Sequence, residues 1–355
     1  MLYVTPHPAH GPSLPTRPGA LLDALLASGA FDTTVVVNRV RPATFLRARL
    51  GGDRRAAANG VRVVEHAWPF GRLERRFLAR LARTLEPPVT AWVADPKAAL
   101  FLADLGSAAT GVVDAYDAWD LSPLVVGERR RNAAREGYRV AARHARLVFA
   151  NTELMAGRMR DLGAADVRRL PNAAPAPDPI TPDAEPSLVY VGRIHERFSC
   201  ALVDAAAERL PNVPFRIIGP LERRPRGWDA LLARPNVQHE PPLGPDAARS
   251  AIGRSRGLLI PHTVDEYTRS QDAMKAWDAI SVGAPVLSTA VPPVDGWPPG
   301  LGFVAGDPAA FAAAAERIVA GALDGTRDAR LAYAAANGWA QRAAEVVAAL
   351  REVGA

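Results

Sequence analysis

The part of this 355-residue chain richest in side chains able to do chemistry is a polar loop opening into a helix, Pro261 to Pro285. It reads Pro-His-Thr-Val-Asp-Glu-Tyr-Thr-Arg-Ser-Gln-Asp-Ala-Met-Lys-Ala-Trp-Asp-Ala-Ile-Ser-Val-Gly-Ala-Pro. The apolar run before it, Gly257–Ile260, predicts a strand. A helix that starts beyond a strand end offers free backbone N–H groups and the positive end of its dipole, a good seat for phosphate. Ser270 or Asp272 is the expected N-cap. Lys275 and Asp278 are three residues apart and share one helix face. A cation near phosphates, with a carboxylate beyond it for sugar hydroxyls, would match a nucleotide diphosphate. The same spacing also suits a plain surface helix with an i,i+3 ion pair.

A second cluster, Val113-Asp114-Ala-Tyr-Asp117-Ala-Trp-Asp120-Leu-Ser122, lies at another predicted strand end. Three acids in seven residues exceed what a solvated turn needs. Asp117, then Asp114, are the candidates to orient an acceptor or take its proton. Helix-capping aspartates are the plainer reading.

The elements that must position these groups are short apolar runs alternating with amphipathic segments, which predicts βαβ units and parallel sheets. In the front half, strands are expected at Leu2–Thr5, Thr33–Val37, Val61–Val64, Val89–Val93, Gly111–Asp114 and Leu147–Ala150. Helices are expected at Pro18–Ser28, Arg72–Leu85, Pro96–Leu105, Glu128–His144 and Thr152–Leu162. The segment 171–186 holds six prolines and reads as a semi-rigid linker. The alternation then restarts, with strands at Ser187–Val191, Phe215–Ile218, Val237–His239, Gly257–Ile260 and Pro285–Ser288. Its helices are expected at Ser199–Leu210, Trp228–Ala233, Pro245–Arg254 and Asp272–Val282, before a helical tail broken near Gly325. The fold class is α/β: two Rossmann-like, doubly wound domains facing a cleft, over 1–170 and 187–335. A C-terminal helix, 336–355, is expected to cross back to the N-domain. Ligands in such sheets bind beyond the carboxyl ends of the strands.

Composition narrows the classes. Apolar residues make up 48% and charged residues 23%, normal for a globular chain. The lone Cys200 excludes a disulfide framework and suits a reducing compartment. No signal-like start and no run of about 18 apolar residues is present. The expected location is cytoplasmic, at most peripheral at the inner membrane face. No G-x-G-x-x-G follows a strand, and no P-loop, nucleophile elbow or H-E-x-x-H pair occurs. No metal site is expected, and no cofactor beyond the substrate.

With these residues in place, the chain resembles the family-four retaining glycosyltransferases, which share the GT-B fold. Gly283-Ala-Pro285-Val286 fits the family's Gly-x-Pro-Val, and Asp278 takes the second acidic position of its Glu-x7-Glu. Ser270 stands where the first glutamate is usual. Thr268-Arg-Ser270 with Lys275 is closer to the surface-polysaccharide, teichuronic-acid-like branch. Val189-Tyr-Val-Gly-Arg193 resembles the strand whose arginine contacts the diphosphate, and Arg197 stands in for a lysine usual some five residues on. Arginine's planar fork suits phosphate. Leu170-Pro-Asn172 resembles the family's Pro-Asn-Gly. Asn236-Val-Gln-His-Glu resembles the strand before the base-binding loop.

The resemblance thus implies a diphosphate set of Arg193, Arg197, Lys275 and Ser270, Asp278 at the ribose, and His239 to Leu243 at the base. The front-half loop of His10, Gly11 and Arg17 resembles the start that forms the near wall of the cleft. A histidine role cannot be carried over at Tyr116-Asp117. The implied activity is metal-independent transfer of a sugar from a nucleoside-diphosphate sugar to a glycan or lipid-linked acceptor, with retention. Alternatives are a GT-B nucleotide-binding subunit without catalysis and a GT-B sugar-nucleotide epimerase, whose histidine-rich site is not evident.

Charge is uneven. Residues 1–170 carry 25 Lys/Arg against 16 Asp/Glu, or +9, and the remainder carries −3. Arg72, Arg75, Arg76, Arg80 and Arg83 line a predicted helix whose apolar stripe is Leu73, Phe77, Leu78 and Leu81. This stretch, Arg72–Arg83, suits an anionic membrane face, or an ordinary core-facing helix with a solvated arginine side. Arg39, Arg41, Arg47, Arg49, Arg54 and Arg55 extend the charge. No nucleic-acid module accompanies these arginines, so nucleic acid is not expected as a partner.

Overall fold

Apolar strands alternating with amphipathic helices build two parallel sheets in the computed structural model, which describes residues 1–5, 16–39, 61–66, 72–183, 186–323 and 325–354. The chain divides into two compact units, Met1–Pro171 with Ala340–Ala355, and Asn172–Trp339.

The strands of the first unit are β1 (Leu2–Thr5), β2 (Thr34–Arg39), β3 (Val61–His66), β4 (Thr90–Val93), β5 (Thr110–Ala115), β6 (Leu147–Ala150) and β7 (Val167–Arg169). They pair in the order β3-β2-β1-β4-β5-β6-β7. The strand order reverses beside β1, as in doubly wound folds. Helices α1 (Arg17–Ala27), α2 (Arg72–Ala82), α3 (Glu128–His144) and α4 (Glu153–Asp161) cover the sheet. Leu2, Val4, Val35, Val93, Phe101 and Tyr138 are buried in its main core. The helix expected at Pro96–Leu105 is instead a 3₁₀ helix, Pro96–Asp104. It runs so close to α3 that a Cβ on Gly137 would lie 1.8 Å from the Pro96 carbonyl oxygen, so only glycine fits there.

The second unit has β8 (Leu188–Val191), β9 (Phe215–Ile218), β10 (Val237–Glu240), β11 (Gly257–Ile260), β12 (Val286–Ser288) and β13 (Gly302–Val304), ordered β10-β9-β8-β11-β12-β13. Its helices are α5 (Cys200–Arg209), α6 (Trp228–Leu232), α7 (Pro245–Arg254), α8 (Glu266–Arg269), α9 (Met274–Ser281), α10 (Pro308–Val319) and α11 (Arg327–Ala336). The order reverses between β8 and β11, the place where such sheets open a crevice. The proline-rich segment runs along this unit: backbone N–H groups of Asp178, Ile180 and Asp183 donate to the carbonyls of Ser281, Val282 and Arg254. The last helix, α12 (Trp339–Glu352), begins where the chain returns to the first unit. There Arg168 donates to Glu352 at 2.5 Å.

Two edge strands fall outside the sequence expectation, β7 and β13. Each is three residues long and half exposed, and β7 carries two arginines while β13 opens on glycine. Edge strands of this kind show neither a long apolar run nor clean alternation.

Candidate functional site

The site grows from the carboxyl ends of β8, β9 and β11. Beyond β8 the chain turns at Gly192 (φ +142°), and beyond β9 at Gly219 (φ +144°). Glycine is required twice over. A Cβ on Gly219 would lie 2.0 Å from the Gly192 carbonyl oxygen, and one on Gly192 would lie 2.6 Å from Lys275 Nζ. The Tyr190 hydroxyl donates to the Arg193 carbonyl at 2.8 Å and so fixes the turn from below.

Helix α9 approaches this turn with an uncapped end. Its N-cap is Ala273, not Ser270 or Asp272 as expected, and no side chain satisfies the first turn. The two polar candidates have other partners. Ser270 closes α8 and donates its hydroxyl to the Tyr267 carbonyl at 2.6 Å. Asp272 accepts the Asn172 backbone N–H at 2.8 Å and the Trp277 indole N–H at 2.7 Å. The Asn172 amide returns a bond to the Asp272 carbonyl at 2.6 Å, so Asn172 clamps the loop ahead of α9. Thr268 completes a capping box with Asp265. Both Thr268 and Ser270 are buried.

Lys275, the second residue of α9, points its Nζ to within 4.0 Å of the Tyr190 ring centroid. The Nζ is buried with no hydrogen-bond partner. This is not the solvated i,i+3 ion pair of the plainer reading. Burial, and next the Arg197 charge, hold its pKa well below the ordinary lysine value, against a weaker pull from Asp278. Asp278 is half-buried and pushed up to about 6 by desolvation, with Arg249 and Lys275 opposing.

Arg197 donates to Gln271 Oε1 at 2.7 Å, while its Nε is buried without a partner. His195 is fully buried, and neither ring nitrogen has a hydrogen-bond partner. Burial and the Arg197 charge lower its pKa to about 4. His262 follows β11, is buried with its Nε2 unpartnered, and is held well below the usual histidine range by burial and by Arg197. Arg193 is exposed and sits 3.4 Å from Glu222. Buried nitrogens without partners are rare in folded proteins, and here five of them, on four side chains, lie at the switch point of one sheet.

The base candidates stand on the β10 side. His239 Nε2 lies 2.9 Å from the Gly219 carbonyl oxygen, and its ring meets Trp228 edge-on at 5.3 Å. Leu243 packs with Ile218, Ala251 and Ile252. Sequence reasoning passed over His262, Tyr190 and Gly219. Their one legible signal is position, at or just beyond a strand's carboxyl end.

In the first unit, Arg17 and Asp114 meet each other. Arg17 Nη2 donates to Oδ1 at 2.7 Å and Nε reaches Oδ2 at 3.0 Å, both side chains buried. Asp114 is therefore the anchor of α1 onto β5 and not a carboxylate open to substrate, which leaves Asp117 as the base candidate. Asp117 is half-buried, adopts φ +56°, and takes a long 3.5 Å contact from Asn151. Asp120 is held by Arg158 at 2.8 Å. His10 and Gly11 lie outside the described residues. Among the described residues no group of His, Cys, Asp and Glu is placed to hold a metal ion, and no helix is long and apolar enough to cross a membrane.

Residues 195–348 match a family model described as glycosyl transferase-like. No curated protein matches. Among solved structures, sucrose-phosphate synthase of Thermosynechococcus elongatus aligns with a TM-score of 0.75 at 15% identity, covering 99% of this chain and 98% of that one. Anabaena Alr3699/HepE, in complex with UDP and glucose, aligns at 0.66 with 16% identity and 99% of both chains covered. The α,α-trehalose 6-phosphate synthase of Burkholderia multivorans aligns at 0.66 with 14% identity, covering 100% and 98%. The fold is the expected one, two Rossmann-like α/β units of GT-B type, and the family-model match, over 195–348, falls mostly on the second unit.

Proposed function

We propose that the chain is a glycosyltransferase that takes a nucleoside-diphosphate sugar as donor and moves the sugar, with retention, to a glycan or lipid-linked acceptor in cell-surface polysaccharide or glycoconjugate synthesis. The observation that carries this reading is the buried, unpartnered Nζ of Lys275 beside Arg197 at the uncapped start of α9. Such charge waits for an anion. A diphosphate there would leave Asp278, one turn on, for the ribose, and His239 and Leu243 for the base. The UDP complexes of the Anabaena protein support the same assignment.

The chemistry follows from the charge. The bond between the sugar's anomeric carbon and the diphosphate oxygen breaks as the acceptor oxygen bonds to that carbon. Lys275, Arg197 and the N–H groups of α9 stabilise the charge arriving on the departing diphosphate. The acceptor proton passes to Asp117 or to the diphosphate itself.

The test is calorimetric titration with UDP, GDP and dTDP, followed by assay of nucleoside diphosphate release from the matching donor sugars with acceptors supplied. Release supports the transferase. Binding without release from any donor leaves a nucleotide-binding subunit, and no binding refutes the site.

We place the protein at the cytoplasmic membrane face through α2. There Phe77, Leu78 and Leu81 turn to the core, Leu73 is 55% exposed, and Arg72, Arg76 and Arg80 are exposed. Arg75 is paired with Asp104. Sedimentation with anionic liposomes should be lost when Arg72, Arg76 and Arg80 become Gln.

A further inference from the structure

Lysine and arginine alone would suffice to hold a diphosphate, yet two histidines are buried with them. His195 lies in the turn after β8 and His262 just beyond β11, on the strands that flank the switch point. Three ring nitrogens, both of His195 and the Nε2 of His262, have no hydrogen-bond partner. Each ring feels the charges of Arg197 and Lys275, and His262 also feels His195. The His262 ring stands edge-on to Tyr190, 6.3 Å away, the same ring that Lys275 covers. The Glu196 carboxylate comes within 3.5 Å of His195 Nδ1 without a hydrogen bond, so neither histidine has its ring nitrogens satisfied.

We propose that His195 and His262 complete the diphosphate seat, donating ring N–H groups to its oxygens, and that the pair takes up a proton from solvent when the diphosphate enters. This rests on the donor-site reading above. The groups facing the rings are Arg193, Glu196 and Arg197 from the turn after β8, Tyr190 from β8, and Lys275 from α9, with Asp278 one turn further. Glu222 and Arg223, after β9, reach the cluster through Arg193 and Glu196. In the empty site the field is positive and dry, so a third or fourth cation is unfavourable and both imidazoles stay neutral. A neutral imidazole offers one N–H and one lone pair, and the lone pair repels a phosphate oxygen. Protonation turns that lone pair into a second donor, and the entering anion supplies the charge that makes protonation favourable.

The leaving group sharpens this. A sugar-linked diphosphate carries two negative charges. The freed nucleoside diphosphate gains a further ionisation, with a pKa of about 6 for a phosphate monoester. The imidazolium is therefore matched to the departing diphosphate more than to the intact donor, and proton uptake should be greater for UDP than for UDP-glucose.

The experiment titrates UDP and UDP-glucose into the full chain by calorimetry, in PIPES, HEPES and Tris at about pH 7.5, where the buffer-dependent heat counts protons. The expected result is an uptake of about one proton per UDP and less for UDP-glucose. The UDP affinity should fall about tenfold per pH unit above neutrality. His195→Asn with His262→Asn, checked for folding by circular dichroism, should lose that uptake and bind UDP at least about tenfold more weakly. Wild-type heats that do not depend on buffer overturn the proposal without any variant. So does uptake that persists in a folded double variant, which would assign the proton to Lys275. If UDP, GDP, dTDP and inorganic pyrophosphate all fail to bind, the donor site itself is refuted along with it.

Discussion

Replacing Lys275 by methionine separates what the buried ammonium costs from what it does. Methionine keeps the unbranched stem and an apolar end. In the wild type, Nζ has no hydrogen bond, and the Tyr190 ring at 4.0 Å is its compensating contact, worth about 0.5–2 kcal/mol. Burial and Arg197 hold the group well below the ordinary lysine value. Each unit of that depression destabilises the fold by about 1.4 kcal/mol while both states are protonated. The sign follows from linkage. The unfolded chain keeps the proton to about pH 10.4, whereas the folded chain loses it earlier. The penalty is thus complete below the folded value and vanishes as pH rises through the unfolded one. Each kcal/mol so relieved corresponds to about 2–4 °C in a unit of this size. Lys275→Met should melt higher on that scale near pH 7, with the gain fading toward pH 10. UDP at a hundred times its Kd should stabilise the wild type by about 2.7 kcal/mol, and at the same concentration should barely protect the variant. Thermal melts from pH 6 to 10, with and without UDP, read both effects. A variant that melts lower and keeps its UDP protection would mean that Lys275 is a satisfied structural group.

Gly192→Ala should fold and lose nucleotide affinity, because its Cβ displaces only the flexible end of Lys275, whereas Gly219→Ala meets a backbone oxygen at 2.0 Å and should unfold the second unit. Both carry a positive φ, adding about 1–3 kcal/mol of strain; melting and UDP titration of each distinguish the outcomes. Arg17→Met or Asp114→Asn alone should destabilise by about 3–5 kcal/mol in urea titrations, since each leaves a buried charge or acceptor unpaired, while Arg17→Met with Asp114→Leu should recover much of the loss. Asp278 holds its proton to about pH 6 when folded, against about 3.9 unfolded. Its carboxylate therefore destabilises fully above about pH 6 and not below about pH 4, so Asp278→Asn should gain about 2–3 kcal/mol at pH 7.5 and little at pH 4 in the same titrations.

The strands were most legible where the chain buries a nearly continuous apolar run: Leu2–Thr5, Leu147–Ala150 and Gly257–Ile260 lie where they were expected. The short edge strands were not, because their pairing comes from neighbours and not from their own side chains. The helix that carries Lys275 and Asp278 was legible, within two residues at its start, because an amphipathic run follows a strand and a polar loop. Ser270 misled for a physical reason. Asp265-x-x-Thr268 is a local capping box, so the chain makes an extra turn of helix there, which uses Thr268 and turns Ser270 inward before α9 begins. His262 was silent because one histidine after a proline looks like any loop residue. Its burial arises only when Tyr190, Arg197 and Lys275 come together from distant parts of the chain.

Both units leave some buried polar atoms without partners, but they differ in where the unpartnered charge gathers. In the first, Asp114 bonds Arg17, Asp120 bonds Arg158 and Asp95 accepts the Lys97 backbone N–H, although one oxygen each of Asp95 and Asp120 stays unpartnered. Asp117 differs. Its backbone is held at φ +56° while the Tyr138 hydroxyl donates to its carbonyl at 2.7 Å. A non-glycine residue keeps such a conformation only when its surroundings impose it, and what this one secures is a half-buried carboxylate at the end of β5. In the second unit Lys275 Nζ and Arg197 Nε are among the buried atoms left without partners, beside the unpartnered ring nitrogens of His195 and His262. Satisfied acids rigidify a scaffold, whereas unsatisfied buried cations destabilise it until an anion arrives. An anion bound beside Lys275 and Arg197 should therefore stabilise the second unit, which urea titrations with and without UDP would read.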